Sequence, residues 1–355
     1  MTSATRHCLA AVLLTVAVCA QDEPVTITVA ASSLEPVVGQ SVTITLAITY
    51  DDDFFEQHGV PLLQRRVDVP FHVALDWELV GTTLTWHESE GGDRVVLGER
   101  EVGAMMEPPV SRAGHMIVPL ILSATWSAVA AGEYVLPAPR LRYAHTTRFE
   151  TSLLGGRQPI DRHEATVTAN ELVLMVRELP DSGRPAGFSG AIGEFAMRVE
   201  VPATVEVGDS FAMVMAVTGS GNLAEFAAPP WPELPGFGVQ GLTDDSSDGQ
   251  RRFTFDVLAL REGAALPPIA FTFYSPGSAS YRTVESEVPA LRVLARSSGR
   301  AMPDRVARLV AADADARGAG GAGSWWWLAI AILCPVLPLL VRRRRSRTRR
   351  EVQRG

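Results

Sequence analysis

One segment of this chain is present twice, and that limits the fold more than any other feature. EPVVGQSVTITLAIT (35–49) and ATVEVGDSFAMVMAVT (203–218) match at a constant offset of 169 residues: Val38 with Val207, Gly39 with Gly208, Ser41 with Ser210, Ala47 with Ala216, Thr49 with Thr218. The glycine permits a tight turn between two strands, and the alternation after it buries one face. A duplicated strand-turn-strand element implies two copies of one β plan. A second pair lies downstream. In AGEYVLPAPRLRY (131–143) and EGAALPPIAFTFY (262–274) the Gly, Pro and Tyr recur at equal spacing, as Gly132, Pro137, Tyr143 and Gly263, Pro268, Tyr274. Each copy then closes on an apolar strand, ELVLMV (171–176) and EVPALRV (287–293).

Other strand signals agree: VTITVA (25–30) and RRFTFDVLAL (251–260) alternate and are rich in β-branched and aromatic residues. Outside the ends of the chain, the one amphipathic helix signal is DRVARLVAADADARG (304–318). The expected fold class is all-β: two tandem Ig-like β-sandwich domains, plus one C-terminal transmembrane helix. Gly39 and Gly132 are 93 residues apart but Gly208 and Gly263 only 55, so the first domain carries 38 additional residues, placed within 51–105. The predicted order is signal peptide (1–20), first sandwich (21–178), linker (179–192) and second sandwich (193–296). A stalk with a short helix (297–323), a transmembrane helix (324–341) and a basic tail (342–355) follow.

The two ends of the chain set its compartment. MTSATRHCLAAVLLTVAVCA has Arg6, an apolar run and the small-residue site Val18-Cys19-Ala20, the pattern of a secretory signal cleaved after Ala20. Lipidation of Cys19 is the alternative, although Val18 stands where a lipoprotein signal wants Gly, Ala or Ser. SWWWLAIAILCPVLPLLV (324–341) is uncharged and runs into RRRRSRTRR, which reads as one membrane span with its arginines cytoplasmic and the body exported. The tail (342–355) holds eight Arg and one Glu; with a net charge of −8 for the whole chain, about −15 falls on the rest. An acidic body argues against nucleic acid as a partner. All three cysteines (Cys8, Cys19, Cys334) fall in the signal or the span, so the exported body has no disulfide, thiol nucleophile or Cys metal site.

Six of seven histidines lie in the first domain. Asp51, Asp52 and Asp53, with Glu56 and His58, have the donor types for a hard or borderline cation, and His87-Glu88 could add to them. Their spacing matches neither an EF-hand loop nor a HExxH helix, and a solvated acidic loop is the plainer reading. Gly219-Ser220-Gly221 is not the nucleophile elbow of a hydrolase, and no glycine-rich stretch carries the Lys-Ser/Thr of a P-loop. Trp77, Trp86 and Trp126 sit in alternating strands and read as core. GNLAEFAAPPWPELPGFGV (221–239) fits no hydrophobic period; its prolines bar central-strand pairing, so it should cross the sandwich. Gly221-Asn222 would begin the crossing, and Phe226, Trp231 and Phe237 would anchor it, with Trp231 free for a contact.

Residues 187–293 resemble the BatD, or oxygen-tolerance, family. The resemblance rests on the GxxGxF entry from Gly190 to Phe195, VxVGDS around Gly208, GxGNL through Gly221, Asn222 and Leu223, and LPGF through Pro235, Gly236 and Phe237 after Trp231. It ends in the LPxIxFxFY run to Tyr274 and its continuation through Tyr281. The first domain matches only through VGQS and GEYxLP, and its enlargement departs from the family pattern. The resemblance implies a non-enzymatic, membrane-anchored exported protein without cofactor or established catalytic residues. The partners it implies are von Willebrand A-domain membrane proteins and a MoxR-type AAA+ ATPase, in aerotolerance or envelope stress. A sensor or ligand-binding protein using the enlarged first domain is the alternative, and an envelope hydrolase a third.

Overall fold

A computed structural model describes residues 23–62, 70–89, 93–152, 156–230, 234–247, 249–287, 289–297 and 301–318. The signal, the apolar span and the basic tail lie outside these residues, as does Trp231. Among the described residues no helix is long and apolar enough to cross a membrane.

The chain is mostly β. The first half contains β1 (Val25–Ala31), β2 (Val42–Asp51), helix α1 (Asp52–His58), β3 (Gly59–Val60), β4 (His72–Ala74) and β5 (Thr82–His87). It continues through β6 (Asp93–Leu97), β7 (Arg100–Met106), β8 (Val110–Arg112), β9 (His115–Ala128) and β10 (Gly132–Leu136). Then come β11 (Arg140–His145), β12 (Phe149–Ser152), β13 (Gly156–Pro159), β14 (His163–Thr168) and β15 (Leu172–Val176). The second half holds β16 (Gly193–Glu200), β17 (Thr204–Glu206), β18 (Ser210–Gly221), β19 (Phe237–Ser247) and β20 (Gln250–Ala259). It ends with β21 (Ala270–Ser275), β22 (Ser280–Glu285), β23 (Arg292–Leu294) and helix α2 (Asp304–Gly318).

Two separate cores follow from the alternation. In the first unit the sheet runs β1-β2-β9-β7-β6-β4-β11-β14, and β10 pairs with β15. Val25, Ile27 and Val29, then Val42, Ile44, Leu46 and Ile48, point every second side chain inward and are buried. Each such burial is worth ~1.5–3 kcal/mol. Asn170, two residues past β14, accepts the Val29 N–H and donates to the Val29 carbonyl, both at 2.9 Å, so the sheet's last strand is brought back to its first. In the second unit the sheet is β16-β18-β20-β19. Its inward residues, such as Phe211, Met213, Phe253 and Phe255, share a core with Phe271 and Phe273 of β21 and Val293 of β23.

The repeat is geometric to the level of single hydrogen bonds. The Gly39 N–H donates to Ala128 O (2.9 Å) and the Gly208 N–H to Ala259 O (2.7 Å), with φ of 77° and 84°. Val38 donates to Arg177 O and Val207 to Leu294 O, across parallel pairings of Val37 with Arg177 and Glu206 with Leu294. A third equivalence escapes sequence matching: Val129 donates to Gly81 O and Leu260 to Gly236 O, and both glycines have positive φ (76° and 87°). The offset therefore falls from 169 at Gly39/Gly208 to 155 at Gly81/Gly236 and 131 at Ala128/Ala259. The additional residues of the first unit thus form two insertions rather than one. Fourteen precede Gly81 and include α1; twenty-four lie between β5 and the middle of β9, past residue 105, and include β6, β7 and β8.

The stretch expected as an acidic loop contains α1. Asp51 caps it by accepting the Phe54 N–H (3.2 Å), and Asp52 and Asp53 sit in its first turn, where the helix dipole favours them. Seven residues do not hold a helix alone. Phe55 packs against Tyr50, Phe71 and Tyr143, and Phe54 against His145.

Candidate functional site

Four of the residues that carry the family resemblance, Gly221, Asn222, Tyr274 and Tyr281, converge on the segment joining the two units. Asn222 is 5% exposed at the end of β18. Its Oδ1 accepts the Ile192 N–H (2.7 Å), its Nδ2 donates to Gly190 O (2.9 Å), and its own N–H donates to Ile192 O (3.1 Å). β16 and β18 approach so closely here that a Cβ on Gly221 would stand 2.2 Å from Ile192 O. Tyr274 donates its N–H to Ala191 O (2.8 Å), and its ring meets Tyr281 edge to face at 5.2 Å. The Tyr281 hydroxyl donates to Pro180 O (2.8 Å) and accepts from Arg184 Nε (3.0 Å), while its ring packs on Phe188. The segment expected as a linker is thus seated on the second unit along its length.

That seat also holds the first unit. Val37, Ile192 and Tyr274 form a small buried cluster of their own, with Leu179, Phe188 and Tyr281 around it. The Ile192 side chain lies against Gly39, 3.3 Å from where a Cβ would be. Gly208 is covered in the same way by Met302, whose Cε is 2.5 Å from the corresponding point. Arg296 braces this second contact by donating to Val207 O (2.9 Å), Asp209 Oδ1 (3.2 Å) and Ala301 O (2.9 Å).

The crossing segment leaves Asn222 under a buried arginine. Arg251, 7% exposed, pairs with Asp244 through two hydrogen bonds (2.9 and 2.6 Å). It also donates to Leu223 O and Phe226 O, and its guanidinium lies 4.7 Å over the Phe226 ring. The Arg251 hydrogen bonds hold the Asp244 carboxyl below its ordinary range. Phe226 and Phe237 are buried anchors of the crossing, and Pro235 is exposed before the Gly236 turn. No pattern in the sequence pointed to Arg251, Arg184 or Ile192. Between the units a cleft of about 520 Å³ is lined by Ser41 and Thr125 on one side and by Ser220, Glu225, Ser246 and Ser247 on the other.

The cation candidates are regrouped by the fold. Asp51 and Asp53 place carboxylate oxygens within 4.8 Å of each other and of a His115 ring nitrogen, and His115 Nδ1 is 2.8 Å from Asp51 Oδ2. Neither Asp52 nor His58 belongs to this group. About two turns of helix carry His58 to the far end of α1, where its Nδ1 is 3.1 Å from Thr146 O. His115 comes instead from the β8-β9 hairpin, where it faces Arg112. His87 is bonded to Thr125 Oγ1 (2.8 Å). Nearby, Asp161 gathers the Thr146 and Thr147 hydroxyls and the Arg148 N–H, and these hydrogen bonds hold its carboxyl far below the carboxylate range. Burial, with His163 and His58 close by, lowers the His145 pKa.

A scan against protein-family models and a search of the curated proteins return no match. Among solved structures, the N-terminal periplasmic domain of ScsB from Proteus mirabilis aligns at 10% identity and a TM-score of 0.18, over 76% of this chain and 94% of that one. A protein of unknown function from Porphyromonas gingivalis W83 aligns at 10% identity and a TM-score of 0.20, over 76% and 100%. The titin domains z1z2, solved with telethonin, align at 12% identity and a TM-score of 0.14, over 78% and 100%. Likeness this low carries no argument about function.

Proposed function

We propose that the chain is a non-enzymatic adaptor of the oxygen-tolerance (BatD) type. In this reading it is two tandem Ig-like β-sandwiches exported on a cleaved signal and held to the cytoplasmic membrane by one span, with its arginine-rich tail inside. Its partners would be von Willebrand A-domain membrane proteins, in a system that includes a MoxR-type AAA+ ATPase, serving aerotolerance or envelope stress. One observation supports this most: Gly221, Asn222, Tyr274 and Tyr281 are engaged in seating one β unit on the next. An adaptor needs that use of its signature residues, because it must present its surfaces in a fixed relation. The test is purification of the full chain from its own membranes in mild detergent. Recovery of an A-domain protein supports the reading; repeated recovery of the chain alone overturns it.

The Asp51, Asp53 and His115 group favours a second reading, a ligand-binding or sensing role for the enlarged first unit. Elemental analysis of the purified full chain, with Asp53→Ala and His115→Ala alongside, decides it. A stoichiometric divalent cation lost in both variants supports that role, and a metal-free chain whose stability ignores chelation removes it.

A further inference from the structure

Side chains of different chemistry cover the two turn glycines. Ile192, which lies on Gly39, is 2% exposed and sits in an apolar cluster with Val37 and Tyr274. Met302, which lies on Gly208, is half-buried and belongs to none of the buried clusters. Its surroundings are polar as well. Met302 Sδ and Arg296 Nη1 stand 3.2 and 3.0 Å from one point, the place a Cβ on Gly208 would take. The first joint is hydrocarbon in a core; the second is a thioether beside a guanidinium, within reach of solvent.

No other described methionine combines these features. Met213 and Met215 are shut into the second core at 0% and 1% exposed, and Met197 packs against that core. Met105, Met106, Met116 and Met175 are exposed residues of strands. Met302 alone is both open to a dissolved reagent and lodged on a turn glycine.

We propose that Met302 is an oxidation site that opens this joint, with a peroxide as the co-reactant. A sulfur lone pair attacks one oxygen of hydrogen peroxide; the S–O bond forms and the O–O bond breaks. The proton on the transferred oxygen passes to the departing hydroxide, which leaves as water, so sulfur loses the two electrons that the peroxide gains. The product is a sulfoxide, larger than the thioether and polar. The Met302 methyl already fills the face that Gly208 leaves bare, its Cε 2.5 Å from the missing Cβ, so the joint has no space there for another atom. The new oxygen is also a strong acceptor beside Arg296 Nη1, and it competes with Val207 O (2.9 Å) and Asp209 Oδ1 (3.2 Å) for that donor. Both effects release Ala301 and Met302 from the Gly208 turn, and with them the start of α2. A methionine sulfoxide reductase, passing two electrons from a dithiol, removes the oxygen as water and closes the joint again. This holds whether or not the chain is an adaptor.

The test is tryptic cleavage after Arg296 in the purified full chain in detergent, before and after hydrogen peroxide, followed by mass spectrometry. Trypsin must take the Arg296 side chain, which is tied to Val207 O, Asp209 Oδ1 and Ala301 O, so the cutting rate follows the population of the open joint. Peroxide should convert Met302 to its sulfoxide and speed this cut at least about tenfold, and the reductase with a dithiol should restore the slow rate. Met302→Leu keeps an apolar side chain with no sulfur. It should stay slow in peroxide even though Met105, Met106, Met116 and Met175 are oxidised in it too. Met302→Gln, polar at the same position, should be cut fast without peroxide. The proposal is overturned if the rate is unchanged once Met302 is a sulfoxide, or if Met302→Leu accelerates as much as the unaltered chain. It is equally overturned if Met302 remains a thioether when the four exposed methionines are oxidised.

Discussion

Replacing Asn222 by alanine tests the seat between the units most directly. The side chain satisfies two backbone groups that face away from water, the Ile192 N–H at 2.7 Å and the Gly190 carbonyl at 2.9 Å, and Ile192 is 2% exposed. A buried backbone group left without a partner costs ~1–3 kcal/mol, and water entering the vacated space brings the pair toward the lower end, about 2–4 kcal/mol in all. Hydrogen exchange at Ile192 should accelerate by roughly thirtyfold or more, and the second unit should unfold at a lower temperature. Asn222→Asp should not rescue it, because the carboxylate keeps an acceptor for Ile192 but turns oxygen toward the Gly190 carbonyl. Asn170→Ala is the control: it removes an equivalent pair of bonds to Val29, so it should loosen the first unit and leave Ile192 protected. Unchanged exchange at Ile192 in Asn222→Ala would refute the reasoning, since the segment would then be held by something other than the amide.

Gly221→Ala should be more damaging than Asn222→Ala, costing more than about 3 kcal/mol, since its Cβ meets Ile192 O at 2.2 Å on a backbone with φ of 143°; comparison of melting temperatures decides it. Burial first, then Asp93 and Asp52, raise the Tyr50 pKa to about 12. The folded state therefore holds that proton longer than the unfolded chain, and stability should fall as pH rises from about 10 toward about 12, a fall that Tyr50→Phe abolishes in alkaline denaturation. Asp161 has the opposite sign. Its depressed pKa, set first by the Thr146 and Thr147 hydroxyls, gives stability above the ordinary carboxylate range that is lost on acidification below about pH 4. Asp161→Asn should flatten that acid limb, with exchange rising first at Thr147 and Arg148.

The strand plan was legible because alternation and a turn glycine are local signals, and Gly39/Gly208 and Ala47/Ala216 keep them at one offset. Gly81/Gly236 was not: its two neighbourhoods, ELVGTTL and ELPGFGV, share little beyond Glu, Leu and Gly, and only the bonds from Val129 and Leu260 reveal the equivalence. α1 was hidden for a different reason, since its stability comes from aromatic contacts with Phe71 and Tyr143, distant in sequence. The cation group was half visible. Two of its members are neighbours in sequence, but His115 arrives through a hairpin, and helical geometry takes His58 away. The seat was the least legible, because SGRPAGFSGAIG reads in sequence only as the linker between the units. Its order is imposed from elsewhere, by Asn222 thirty residues on from Ile192 and by Tyr281 beyond.

The Val-Gly-x-Ser turn acquires a second role from this geometry. A positive φ explains why a glycine turns the chain at Gly39 and Gly208, but not why both faces are left bare. Ile192 follows Arg177 by fifteen residues and Met302 follows Leu294 by eight; each returns to lie on the glycine of the unit just completed. A side chain at either position would occupy the space that Ile192 or Met302 fills. The glycine is therefore a socket as well as a hinge in the turn, and the repeat extends to the way each unit receives what comes after it. The first unit seats the second, and the second seats the segment leading into α2, with Arg296 bracing the latter contact through Val207 and Ala301. Direction is passed along the chain by packed contacts rather than by tethers.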